Sequence, residues 1–531
     1  MKRIASLVML CVVAVFSCLT LSSCSTAICG FSITSNGTVL TELKNKNQCV
    51  GEVTIPSGFT RIADEAFIRA DGITKIIIPE GITHIGARAF ADCESLEEVV
   101  LPSTLRSLGE DAFAGCPKVK LNVGPASDDG ITLYYLGTSD NDYFALVGAD
   151  VPTEDTVEDR VYEYNVSDST VVIADGALAA ADDAVAYSCE AYLPESVRYI
   201  GESAFEGIAG LKKVVMTSSV ESVGFSAFKD CDALEEITLP FAGGTRDDNT
   251  FLGYIFGARM HTFNKWQVPG TLAKLTLTTD APISDYAFSG CDSLKQVIVH
   301  EGTASIGFGA FKNCDSIELM HLPFIGASGD GKENSHLGYI FGATDPEHNG
   351  TYVPETLTEL HITGNAVISK GALSSLSHIE RLYLYDKVER VAEGAFDGCV
   401  FGYNGLGGAH YLGSPDSPYL VLMELKNKSV REFDIDPSVK VIADGAFADC
   451  AQLASIVIPD GVITVGADAF RGCTALKTVE MYGSVSSIYD NAFNDCTKIS
   501  KFTFRSTRDR WNEIYIGIGN DVIKKKVSFK R

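Results

Sequence analysis

The sequence is short of basic residues, of tryptophan and of any catalytic signature. Its 43 Lys and Arg stand against 69 Asp and Glu, a formal charge of -26. That excludes a nucleic-acid binder, because phosphate backbones are met by Lys/Arg surfaces. Charged residues make up only 21% of the chain and apolar residues 46%, which excludes a disordered polymer and permits a large buried core. The nine His form no His-Glu-x-x-His, and no Gly-x-Ser-x-Gly elbow or phosphate loop occurs. No two Cys have Cys-x-x-Cys spacing, so structural zinc and thioredoxin-like chemistry have no support. The acidic loops Asp140-Asn141-Asp142, Asp247-Asp248-Asn249 and Asp330-Gly331-Lys332-Glu333 lack the spacing of a calcium loop. The expectation is a protein that is not an enzyme, with no catalytic residues, no metal and no cofactor.

There are 28 Phe, and they recur. An Ala-Phe pair ends a phrase at Phe67, Phe90 and Phe113, in steps of 23. It returns at Phe205 and Phe228, at Phe288 and Phe311, at Phe396, and at Phe447, Phe470 and Phe493. Leu178 and Leu373 fill the same slot, giving thirteen units. One copy reads Leu96-x-x-Val99-x-Leu101-Pro102, then Leu105-x-x-Leu108-Gly109, then Ala112-Phe113-x-x-Cys116. A fixed period of this length is the mark of stacked units, none of which can bury its apolar face alone.

Leu96, Val99 and Leu101 predict a strand that Pro102 terminates, since proline cannot donate to a ladder. The strand phrase starts fourteen times between Val50 and Ile499, which predicts a long parallel sheet. Leu105 to Leu108 predicts a second short extended piece, with Gly109 allowing the corner after it. Gly109 to Gly115 suits a single helical turn with Glu110 and Asp111 at its favoured end. Nine of the 15 Cys fall three residues after the repeat Phe, from Cys93 to Cys496. Stacked equivalents face one way, so they are expected to be free, buried thiols. Cys29 and Cys49 lie outside the phrase, and the sequence leaves open whether they pair.

The phrase Leu-x-x-Val-x-Leu-Pro, then x-x-Val-x-x-Ile-Gly, then x-x-Ala-Phe-x-x-Cys resembles the BspA-like leucine-rich repeats of bacterial surface proteins, over roughly residues 50–505. The resemblance implies an α/β repeat, a right-handed leucine-rich-repeat solenoid with one parallel strand per ~23-residue unit. It also implies a secreted or surface-anchored protein of the bacterial envelope, a class often discussed as adhesins. It names no ligand.

The N-terminus fits that setting. Met1-Lys2-Arg3 precedes an apolar run from Ile4 to Leu21, as in a secretory signal. The run is 18 residues, just long enough to span a bilayer, but Leu21-Ser22-Ser23-Cys24 resembles the bacterial lipoprotein signal. That resemblance makes residues 1–23 the signal peptide and Cys24 the acylated attachment site, a membrane anchor.

The expected organisation is a cap at 24–49, repeat block A at 50–125, an interruption at 126–170 and block B at 171–400 with insertions at 241–268 and 324–352. A second interruption at 401–429, block C at 430–500 and a basic cap or tail at 501–531 complete it. The insertions match each other through Leu252-Gly253-Tyr254-Ile255-Phe256 and Leu337-Gly338-Tyr339-Ile340-Phe341. The interruptions match through Tyr135-Leu136-Gly137 and Tyr411-Leu412-Gly413, and Leu40 to Lys46 echoes Leu422 to Lys428. Such segments are hairpins or lids at one edge, or they widen the array.

The outward position between the last two strand anchors includes Thr238, Thr276, Ile298, His321, His361, Tyr383 and Glu480. Ile298, His321, His361 and Tyr383 are unusual for a solvated face and form the candidate binding face. Inserted segments folding over them would be the alternative. The leading expectation is a lipid-anchored protein that binds a host extracellular-matrix or neighbouring-cell protein. The alternative is an envelope structural or glycan-binding protein, for which Trp266 and Trp511 supply little of an aromatic platform.

Overall fold

A computed structural model describes residues 29–34, 37–125, 130–151, 161–179 and 188–530. Residues 1–23 and Cys24 lie outside the described residues. Each unit runs through three stations, and each station stacks on its equivalent in the next unit.

The first station is the strand of the Leu-x-x-Val-x-Leu phrase. These strands pair in parallel in stacks of three, nine and five, so the long sheet is interrupted twice. Strands Tyr162–Tyr164, Cys189–Tyr192 and Val527–Phe529 join these stacks without carrying the full phrase. Leu96, Val99 and Leu101 are buried as expected.

The second station is a two-residue strand, such as His84–Ile85 or Ser107–Leu108, which pairs with its neighbours in a ladder of its own. The glycine that follows is required, though not for a corner. Gly86 and Gly109 do not have positive φ. A Cβ on Gly109 would stand 2.4 Å from the Ala87 amide nitrogen, and one on Gly86 would stand 2.4 Å from that of Asp64. The previous unit's backbone passes through the space a side chain would need.

The third station corrects an expectation. Gly109 to Gly115 forms no helical turn: Asp111 and Gly115 are left-handed, with φ of 55° and 70°. The arc is a run of tight turns in which alternate amides bond within the unit and to the next. The Phe67 amide donates to the Ala89 carbonyl (2.7 Å), while the Ala70 amide donates back to the Phe67 carbonyl (3.1 Å). A helix would keep every bond inside one unit, whereas the arc ties each unit to the next. Beneath it the Phe rings stack: Phe447 and Phe470 are 4.8 Å apart, and Phe470 and Phe493 are 5.0 Å apart.

The repeat cysteines are free and buried or half-buried. Their thiols also donate, Cys473 to the Phe447 carbonyl (3.2 Å) and Cys496 to that of Phe470 (3.1 Å). Cys29 and Cys49 form a disulfide, with Cα atoms 5.4 Å apart.

Three antiparallel hairpins open three repeat blocks: Phe31–Ile33 with Val39–Leu43, Thr132–Leu136 with Ala145–Asp150, and Ala409–Leu412 with Val421–Leu425. The second strand of each heads the second-station ladder in parallel. This accounts for the echo between Leu40 to Lys46 and Leu422 to Lys428. Arg390 joins blocks B and C, its Nε lying 3.0 Å from Asp444 Oδ1 and its guanidinium 4.3 Å from the Tyr489 ring. At the C-terminal end, Trp511 packs on Phe502 and Phe504 and closes the array.

The segments 241–268 and 324–352 are neither hairpins nor lids over the strands. Each supplies a 3-10 turn, Leu252–Phe256 or Leu337–Phe341, in place of the third-station arc. Phe228 and Phe311 donate their amides to Ile255 and Ile340, and Phe256 and Phe341 continue the ring column. They are enlarged units, attached on the side opposite the strand face.

Candidate binding face

Strands Gln296–Ile298, Leu319–Leu322, Glu359–Ile362 and Arg381–Leu384 are consecutive members of the nine-strand stack. Parallel register places Ile298 beside His321, His321 beside His361, and His361 beside Tyr383. Their chain neighbours Val297, Met320, Leu360 and Leu382 are buried in the core. With a side-chain period of two, the four candidate residues therefore project from the opposite face. All four are brought together.

The projecting side chains cover one another. The rings of His321 and His361 are 4.1 Å apart and 12° from parallel, and the Tyr383 ring is 4.6 Å from that of His361. His361 is consequently only 7% exposed, although it stands on the outer face. Its Nε2 lies 2.8 Å from Glu359 Oε1 and its Nδ1 3.1 Å from the Tyr385 hydroxyl. Burial opposes ionisation of Glu359, but hydrogen bonds from His361 and Arg381 outweigh it and hold the carboxyl below its usual range. Burial, followed by the neighbouring His361, pushes His321 down to about 4.

A second outward column lies two residues earlier on each strand. It begins with charges, Lys213 and Lys274 both reaching Glu236 at 3.4 and 3.5 Å. It ends with charges, Arg381 Nε lying 2.7 Å from Glu359 Oε2. Between them stand Gln296 and Leu319, so the middle of the face has a window without formal charge, bordered by ion pairs. Glu359, Arg381, Tyr385 and Leu319 were missed by sequence reasoning. The period-two spacing would have found Leu319, Glu359 and Arg381 had both outward columns been read, whereas Tyr385 lies past the end of its strand.

Among the described residues, no group of three or more His, Cys, Asp or Glu could hold a metal ion. No helix among them is long and apolar enough to cross a membrane.

The repeat phrase has a direct counterpart. The profile of the BspA type leucine-rich repeat region matches residues 33–132, 187–264, 271–326 and 424–515. The chain belongs to the BspA-type leucine-rich repeat family. The BspA-type match at 271–326 takes in the first two strands of the candidate face and ends before the last two, where the enlarged unit at 324–352 breaks the period. No curated protein matches this BspA-type chain. Among solved structures it is similar to a leucine-rich repeat protein from Bacteroides ovatus, at 18% identity over 95% of this chain and 98% of that one, with a TM-score of 0.24. A leucine-rich cell surface protein from Faecalibacterium prausnitzii shares 18% identity over 94% and 98%, with a TM-score of 0.21. A leucine-rich repeat protein of T. pallidum shares 18% identity over 54% of this chain and 87% of that one, at 0.18.

Proposed function

We propose that this is a lipid-anchored cell-surface protein that binds a protein ligand, of the host extracellular matrix or a neighbouring cell, through Ile298, His321, His361 and Tyr383. The observation that carries the reading is the unbroken outward stack His321–His361–Tyr383, which runs from the uncharged strand of Leu319 to the Glu359–Arg381 ion pair at the window's border. An aromatic centre ringed by polar groups is the composition of binding hot spots, and it desolvates at lower cost than a charged ladder. The enlarged units lie on the other side of the array and leave the strand face open to a partner. Cys24 would hold the protein to the membrane through its acyl chains, a reading supported by Leu21-Ser22-Ser23-Cys24.

Adhesion of cells displaying the full chain to immobilised matrix proteins tests the face. Replacing Ile298, His321 and Tyr383 with Ser, while keeping the buried His361, is expected to weaken binding by about 2 kcal/mol or more. Replacing Lys524, Lys525 and Lys526 is expected to change little. Adhesion lost in the lysine variant, and abolished by salt, would point to screened charge instead. Normal adhesion of the serine variant would move the site to the loops at 243–251 and 326–336. For the anchor, Cys24→Ala is expected to release the protein from the membrane fraction and to stop incorporation of labelled palmitate.

A further inference from the structure

The two enlarged units have the same scaffold and different surfaces. In each, one buried Asn holds the 3-10 turn: Asn264 Oδ1 accepts the Gly253 amide (3.0 Å), and Asn349 Oδ1 accepts that of Gly338 (2.9 Å). Each Asn also donates to the next repeat, at Ala287 and Ala372. Beside Asn264 the first unit opens a cavity of about 260 Å³ toward the two repeats that follow. His261 and Lys265 come from the enlarged unit, Tyr286 and Ser289 from the next repeat, and Lys312 and Asn313 from the one after.

No carboxylate lines this cavity, in a chain of formal charge -26. Lys265 has a 3.6 Å contact with Asp292 outside it, and Lys312 has no ion pair among the described residues. The His261 ring lies parallel to that of Tyr286 at 5.0 Å, and its shielded Nδ1 has no hydrogen-bond partner. The helical turn that supplies Lys265, Asn264–Gln267, also carries Trp266, which is 68% exposed, with the Phe263 ring 5.9 Å away. None of this is needed by the scaffold. In the second unit the equivalents of His261, Lys265 and Trp266 are Pro346, Gly350 and Thr351, and Asp397 stands where Lys312 does.

We propose that this cavity binds the anionic group of an acidic polysaccharide, a sulfate or carboxylate on a sugar ring. Lys265 and Lys312 supply the charge, and Ser289 and Asn313 supply hydrogen-bonding groups for its oxygens. Trp266 and Phe263 offer apolar faces on which the C–H side of an adjoining sugar can pack. The surrounding negative field repels polyanions, so binding must be local to these lysines and must weaken with salt. This site is separate from the strand face and does not rest on the reading given for it.

The test is titration calorimetry of the full chain with a heparin-derived octasaccharide, its desulfated form, inorganic sulfate, a polyglutamate peptide and neutral dextran. The octasaccharide is expected to bind, dextran is not, and the desulfated form distinguishes sulfate from carboxylate as the group held. Lys265→Gln with Lys312→Gln is expected to raise the Kd about tenfold or more, through the loss of two charge-assisted contacts. Trp266→Ala is expected to weaken the octasaccharide but leave inorganic sulfate unaffected. All these side chains lie at the surface, and unchanged thermal melts would show that the variants fold. Binding untouched by the double variant, or equally lost on replacing Lys524, Lys525 and Lys526, would overturn the proposal. So would polyglutamate binding as tightly as the octasaccharide.

Discussion

The ring of His321 lies over the ring of His361, 4.1 Å away, on adjacent strands of the outer face. Two imidazoles at that distance cannot both be charged without repulsion. The pair turns a surface column into an acid-sensitive one.

Burial and His361 hold His321 at about 4, against 6.5 for an unperturbed histidine. Between those values the unfolded chain binds a proton that the folded one refuses. Its stabilising contribution is therefore complete above about pH 6.5 and is lost as pH falls toward 4. His321→Phe keeps the stack and removes the titration. The loss of thermal stability between pH 7 and pH 5 is expected to be smaller in this variant than in the parent chain. Equal losses would mean that His321 is protonated in the fold.

Phe470 sits between Phe447 and Phe493, with ring planes within 8° of parallel on both sides. Phe470→Ala removes a fully buried ring and is expected to cost roughly 3–5 kcal/mol. Units contact only their neighbours, so hydrogen exchange is expected to rise over residues 445–500 and to stay unchanged over 55–115. A uniform rise along the chain would contradict an array of locally stable units.

Gly109→Ala tests the close approach between units. In an ordinary extended segment this change is tolerated or stabilising, since it restricts the unfolded chain. Here the new Cβ would stand 2.4 to 2.8 Å from three backbone atoms of Gly86 and Ala87. Overpacking of this kind is expected to cost about 1–3 kcal/mol. A melting temperature at or above the parent's would show that the ladder can shift to admit a methyl group.

Ten cysteines among the described residues carry free thiols. Burial pushes Cys399 up to about 11 and Cys189 up to about 12, and the reactive species is the thiolate. N-ethylmaleimide is therefore expected to label Cys189 and Cys399 slowly in native protein at pH 7, and all ten rapidly in denatured, unreduced protein. In that denatured sample Cys29 and Cys49 are expected to stay unlabelled until a reductant is added.

Much of the fold was readable because a repeat restates its own constraints. Leu96, Val99 and Leu101 recur at one period, and a buried anchor set that recurs so regularly can be satisfied only by stacking. The cysteine slot was readable for the same reason. The arc after Gly109 was misread, since Glu110 and Asp111 suit a helix start equally well. What decides against a helix is the carbonyl of the next unit, which no local pattern contains.

The candidate face divides in the same way. Period-two alternation in the sequence determined that Ile298, His321, His361 and Tyr383 point outward on neighbouring strands. Only the tertiary structure decided that His361 is nearly covered while Tyr383 stays half-exposed. Coverage there comes from rings on adjacent strands meeting at van der Waals distance. Likewise the match between the segments at 252–256 and 337–341 was plain in the sequence, but not where they lie. Their place on the turn side is fixed by backbone bonds from Phe228 and Phe311, partners that are near only once the array has been stacked.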